Sequence, residues 1–332
     1  MKLALIHIAQ WLALGLLALV ALILSAWSAM ALWYQAGGSS AGHLALAAAW
    51  LVALAFAASL GPRHPKLCLA ATFALVVGFC AWWWSIEPRG DREWATDVEH
   101  IVTARREGRI VTLENVRDFV WSSRDDYVAQ WKMEEYDLAE LASVDVILSY
   151  WGIDAIAHTL VSFGFSNGRH VVFSVEIRRE WNEEFSSLAG FFKSYELALI
   201  AATERDILFL RTNVRGEDVY LYPVAIPQEA MQTLFMEYAK AGNDLARQPA
   251  FYDTLTANCT TVVFDLARMI EPGLPTDWRI LLSGYLPGYL RDQGVLPWNG
   301  SISELRQRAA ISRKSESALP DEDYSRAVRA GQ

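Results

Sequence analysis

The chain has 332 residues, 53% of them hydrophobic and 14 of them Trp, which excludes a disordered or disulfide-stapled polypeptide. Its net charge of −9 is unevenly spread. Residues 1–86 carry no acid and only Lys2, Arg63 and Lys66 as cations, so the remainder holds all 38 acids against 26 of the 29 basic residues, a net of −12. That balance excludes nucleic acid as a partner, because phosphate contacts need a basic surface.

Three apolar runs come first: Trp11–Trp33, His43–Leu60 and Leu67–Ile86. At 1.5 Å per residue each reaches roughly 27–35 Å, enough for a hydrocarbon core. The first run is too long for the apolar stretch of a cleaved signal peptide, and two more follow it. Lys2, Arg63 and Lys66 place the N-terminus and the Gly61–Lys66 loop in the cytoplasm, so the third span delivers everything after Glu87 to the far side. Trp82, Trp83, Trp84 and Trp94 read as an interfacial belt at that exit.

The remainder reads as α+β. Strands are expected over Arg109–Leu113, Tyr127–Tyr136, Asp154–Phe165 and His170–Arg178, the last two joined by an Asn167-Gly168 turn. Leu197–Ala201, Ile207–Arg211 and Asp218–Val224 continue the series. Pro227 opens a helix with Met231, Leu234, Phe235, Tyr238 and Leu245 on one face. Residues 301–314 look like a basic amphipathic helix, followed by a disordered polar tail. Three parts are expected: a membrane domain over 1–90, an enzyme domain over 91–270 and a helical extension with its tail over 271–332.

Cys68 and Cys80 lie in the third span, so the soluble part has the single thiol Cys259 and no internal disulfide. Val262, Val263, Leu266 and Ala267 follow it at i+3, i+4, i+7 and i+8, which puts Cys259 on the buried face of a helix's first turn, with Asn258 or Thr256 as the cap. The positive helix end favours a thiolate there. A core cysteine in a helix stripe fits the position equally well.

A thiolate needs a base. His100 lies in a polar stretch and His170 flanks the hairpin turn, whereas His158 sits in an apolar strand. An odd-membered hairpin loop pairs His158 with Glu176, and a strict two-residue loop pairs it with Ile177. Glu176 beside the ring would fix its tautomer and stabilise imidazolium. Gly164-Phe165-Ser166-Asn167-Gly168 matches the G-x-S-x-G pattern, but a strand follows where a nucleophile elbow needs a helix. No metal-ligand spacing is present, and no metal or cofactor is expected.

The strings SYWGIDAIAHTLVSFGF (Ser149–Phe165), SVEIRRE (Ser174–Glu180), GFFKSYEL (Gly190–Leu197), RTNVRGEDVYLY (Arg211–Tyr222) and LTANCTTVVFD (Leu255–Asp265) resemble the periplasmic domain of the Lnb-type bacterial lipoprotein N-acyltransferases, over about Asp91 to Arg268. The resemblance implies a permuted papain-like fold with an antiparallel sheet, in which the His strand precedes the Cys helix. It carries the nucleophile to Cys259, the base to His158 and the orienting role to Glu176. The implied activity is movement of a fatty acyl group from a phospholipid, through a Cys259 thioester, to an amine such as a lipoprotein N-terminus. The implied location is the bacterial inner membrane, with the soluble domain in the periplasm. The competing readings are a cysteine peptidase or amidase acting on cell-wall peptide, and a catalytically silent membrane-anchored binding domain.

Overall fold

The computed structural model describes residues 2–315 and 324–330. The chain divides into two compact units, residues 1–88 with 186–194, and residues 89–185 with 195–332. The first unit holds α1 (Lys2–Gln35), α2 (Ser40–Ser59) and α3 (Pro65–Ser85). All three are long and apolar enough to cross a membrane. Side chains near one end of this bundle hold it together: Trp50 donates to Ser28 at 2.8 Å, and Trp27 packs edge-on against Phe79 and Trp83. Segment 186–194 belongs here too. Phe192 stacks on Tyr34, and Lys193 donates to the carbonyls of Trp83 and Ile86.

The second unit is an α+β domain. Its strands are β1 (Thr103–Glu107), β2 (Ile110–Arg117), β3 (Val120–Trp121), β4 (Tyr127–Val128), β5 (Trp131–Asp137), β6 (Leu141–Tyr150), β7 (His158–Phe165), β8 (His170–Arg178), β9 (Glu196–Ala202) and β10 (Asp218–Pro223). The main sheet runs β1-β2-β9-β8-β7-β6-β10 with β5 beside β2, and is antiparallel except for the β2–β9 pair. Helix α4 (Glu204–Phe209) precedes β10, and α5 (Gln228–Arg247) and α6 (Cys259–Ile270) follow it. Then come α7 (Leu286–Asp292), α8 (Ile302–Ala309), α9 (Ser312–Ser315) and α10 (Tyr324–Arg329).

Alternation along the central strands sorts their side chains to two cores. Val161, Phe163, Phe173 and Val175 face α5 and α6, where they meet Phe235, Tyr238 and Leu266. Leu160, Val172 and Ile200 face the other way, against Ile207 and Leu208 of α4 and Tyr324 and Val328 of α10. The sheet is therefore covered on both faces.

Several expectations need correction. Segment Ile207–Arg211 is not a strand. It lies in α4 and a following π-helical turn, Leu210–Val214. A short apolar run does not separate strand from buried helix, and the start signal lay just upstream in Thr203 and the first-turn acids Glu204 and Asp206. The strand expected over Asp154–Phe165 begins only at His158. Trp94 is half-buried in the second unit, with Arg178 over its ring and its Nε1 donating to the Gly90 carbonyl.

The C-terminal region is also more ordered than its polarity suggests. The helix expected over 301–314 is split between α8 and α9, because Ala310 bridges to Tyr220 and the Ile311 amide bonds the Val219 carbonyl. Within the tail, Tyr324 and Val328 are fully buried. Arg329 reaches the buried carboxylates of Asp145 and Glu204. Residues 316–323 and 331–332 of that tail lie outside the described residues.

Candidate active site

The hairpin register decides which carboxylate meets His158. Leu160 pairs with Ser174 and Gly164 with His170, so the loop is odd-membered and the same register sets Glu176 opposite His158. Gly168 takes φ +85°, a backbone conformation that suits glycine, and its amide closes the turn on the Phe165 carbonyl. Beyond Leu160 and Ser174 the two strands part. β7 stays paired with β6 as far as His158, and β8 stays with β9 as far as Arg178. The sheet thus forks at the residues of interest.

Helix α6 begins at that fork. Asn258 caps it, accepting from the amides of Thr260 and Thr261, while Thr261 Oγ1 accepts from the Asn258 amide to complete a capping box. The preceding turn is organised by Asp253, whose Oδ1 accepts from the amides of Leu255 and Thr256. A hydroxyl contact of 2.8 Å between Thr159 and Thr260 clips the helix to the start of β7. Cys259, the first helical residue, is thereby held beside His158.

His158 is 8% exposed. Its Nε2 lies 3.1 Å from Glu176 Oε1 and 2.8 Å from Ser174 Oγ, which leaves Nδ1 as the nitrogen available to the thiol. Burial opposes the imidazolium, but the Glu176 carboxylate and the Cys259 sulfur outweigh it and raise the ring to about 9. Burial likewise pushes the Cys259 thiol up, and the imidazolium more than reverses this, so the thiol lies below its ordinary range. Glu176 is also buried against its charged form, yet His158, Arg211 and the Ser174 hydroxyl hold it well below the usual carboxylate range. The arrangement favours a thiolate beside an imidazolium, with a carboxylate behind the ring.

Sequence reasoning singled out Cys259, His158 and Glu176, and the structure brings all three together. It does not bring in the others. His100 packs edge-on against Trp131, and His170 closes its turn by a contact to the Gly168 carbonyl. Ser166 is an exposed hairpin residue, and Cys68 and Cys80 lie on α3. No cluster of metal-binding side chains occurs among the described residues.

Four polar residues escaped the sequence reading. Ser174 bonds Glu176 Oε1 at 2.6 Å, and Arg211 Nη2 bonds the same oxygen at 3.0 Å. Arg211 Nη1 then meets Glu217 at 3.4 Å, and Glu217 accepts from Ser149. All four stand inside the motif strings, at their polar positions, and the strings converge in space on His158. The loop before β7 is braced as well: Ser283 Oγ bonds both the amide and the carbonyl of Ala157, and the Gly284 amide bonds the Ala155 carbonyl.

No curated protein and no solved structure matches the chain. A family model matches residues 127–284. This segment begins later than the expected extent of the resemblance, about Asp91 to Arg268, and runs beyond α6 to the Ser283–Gly284 brace under the His158 loop. Residues 127–284, which hold every side chain of the cluster around Cys259, match the family described as the Lnb N-terminal periplasmic domain, the one the sequence motifs resemble.

Proposed function

We propose that the protein is a thiol acyltransferase of the bacterial inner membrane, with its N-terminus in the cytoplasm and its catalytic domain in the periplasm. The match to a periplasmic domain, together with three helices able to span a membrane, supports a membrane-anchored protein with a periplasmic domain. One observation carries the catalytic assignment: the Cys259 sulfur stands at the start of a helix beside an imidazole whose far nitrogen is held by Glu176.

The thiolate attacks the ester carbonyl carbon of a phospholipid. As the tetrahedral intermediate collapses, His158 gives its proton to the departing alcohol oxygen, a lysophospholipid leaves, and the acyl group stays on sulfur as a thioester. An amine, such as a lipoprotein N-terminus, then attacks the thioester. His158 takes the amine proton, the amide leaves and the thiolate returns. The Cys259 amide, a first-turn N–H with no intrahelical acceptor, is placed to hold the oxyanion.

The test is turnover by the full chain in detergent, with phospholipid plus an N-terminal cysteine peptide in one arm and cell-wall peptide in the other. The proposal expects lysophospholipid release and peptide N-acylation that vanish in Cys259→Ala. Cleavage of the cell-wall peptide alone would make the protein an amidase, and inertness in both arms would make it a binding domain.

A further inference from the structure

Behind the imidazole, side chains from separate parts of the chain close into a ring. His158 Nε2 meets Glu176 Oε1 at 3.1 Å, and Arg211 Nη2 donates to that same oxygen at 3.0 Å. Arg211 Nη1 donates to Glu217 Oε2 at 3.4 Å, and the same Glu217 oxygen accepts from Ser149 Oγ. Ser149 is the β6 residue directly across the ladder from His158, which completes the circuit.

The turn that carries Arg211 is built for this. In the π-helical stretch Leu210–Val214 the Arg215 amide bonds the Leu210 carbonyl, and the Glu217 amide returns to the Arg211 carbonyl at 2.8 Å. Wide turns of this kind are rare and recur at functional sites. Arg211 is 5% exposed and Ser149 fully buried, so water does not replace these contacts.

We propose that Arg211 is the positioning residue of the site, holding Glu176 against His158 while Glu217, fixed by Ser149, holds Arg211. This rests on the reading of Cys259 and His158 as the reacting pair. The Glu176 side chain is 22% exposed, so without Arg211 its carboxylate has water to turn toward. Lysine does not substitute, because a single ammonium lacks the planar fork that spans two carboxylates.

The other charged or titratable groups around Glu176 come from three directions. Arg215 lies 3.7 Å from Glu217, Tyr252 stands beside Cys259, and Arg117 of β2 is paired with Asp206. The direct charge of Arg211 opposes the imidazolium. An arginine acting only as a charge would therefore leave a more basic ring when removed. A positioning arginine leaves a less basic ring, because Glu176 is released.

The experiment is the pH dependence of iodoacetamide alkylation, read by mass spectrometry on the peptide containing Cys259, with the full chain in detergent. Wild type, Arg211→Gln, Glu176→Gln and the double variant are compared. Each single variant is expected to have its alkylation midpoint moved upward by about one pH unit, with alkylation on the acid side of the midpoint about tenfold slower. The double variant is expected to be no slower than Glu176→Gln, since one interaction is removed twice. If Arg211→Gln does not fold because the buried Glu217 loses its Arg211 partner, Arg211→Gln/Glu217→Gln removes both charges and should show the same shift. A wild-type rate and midpoint, a downward midpoint, or single effects that multiply would overturn the proposal. Failure of the acyl-transfer reading would instead leave this cycle intact and appear as the absence of any acyl adduct.

Discussion

Arg211 and Glu217 show what a local reading of residues misses. A thiol at a capped helix start and a histidine in an apolar strand are visible from neighbours a few positions away. The Arg211–Glu176 contact joins residues 35 apart, and nothing within a few residues of Arg211 says that its guanidinium is buried. The charge pattern of the site leads to a pH expectation. The His158 imidazolium persists up to about 9, above its ordinary 6.5, so its stabilising contribution is complete below about 6.5 and is lost as pH rises through about 9. The thiol is lowered, so the ion pair dissolves at the acid end when the sulfur takes a proton. Turnover should therefore follow a bell whose alkaline limb falls near pH 9, the two limbs belonging to the pair. His158→Ala should move thiolate formation toward the ordinary thiol range, slow alkylation at pH 7 and cut turnover by about 10³-fold or more with the fold intact by circular dichroism. An unchanged alkylation profile in that variant would separate the ring from the sulfur.

Individual elements differ in how readily they are read. The ends of β8 are legible in the sequence, and the turn before it is marked by Asn167 and Gly168. The register stayed open between two values, because a two-residue and an odd-membered loop both accept that dipeptide; the structure takes the odd one. β6 went unread. It is buried along nearly its whole length and includes Asp145, a carboxylate paired with Arg329 far along the chain. Two substitutions test how the elements hold the site. Asn258→Ala removes the acceptor for two first-turn amides of α6 and should cost about 0.5–2 kcal/mol in urea unfolding. Gly284 has no room for a side chain: a Cβ there would lie 1.9 Å from the Asp154 carbonyl oxygen. Gly284→Ala should push on the 154–157 loop, loosen the start of β7 and lower the Cys259 alkylation rate. Wild-type stability and alkylation rate would mean that the loop yields without moving His158.

At the scale of the whole molecule, the division into an apolar N-terminal unit and an acidic α+β unit is present in the charge distribution alone. The insertion of residues 186–194 into the first unit is not, since it depends on contacts such as Phe192 on Tyr34 that join distant parts of the chain. A reporter fused after Gln332 should be active in the periplasm and one placed in the 61–66 loop in the cytoplasm; the opposite pattern would put the thiol in a reducing compartment. Arg329 ties α10 to Asp145 and Glu204, both almost fully buried. Arg329→Met should leave two uncompensated carboxylates and lower stability by about 3 kcal/mol or more in denaturant titration. The central claim is that Cys259 carries an acyl group. Its most direct test is mass spectrometry of the Cys259 peptide after brief incubation of the full chain with phospholipid, quenched at early times. The account predicts a fatty-acyl mass increment that neutral hydroxylamine removes and that Cys259→Ser lacks. An unmodified peptide at every time point, in wild type and in His158→Ala alike, while phospholipid is turned over, would contradict it.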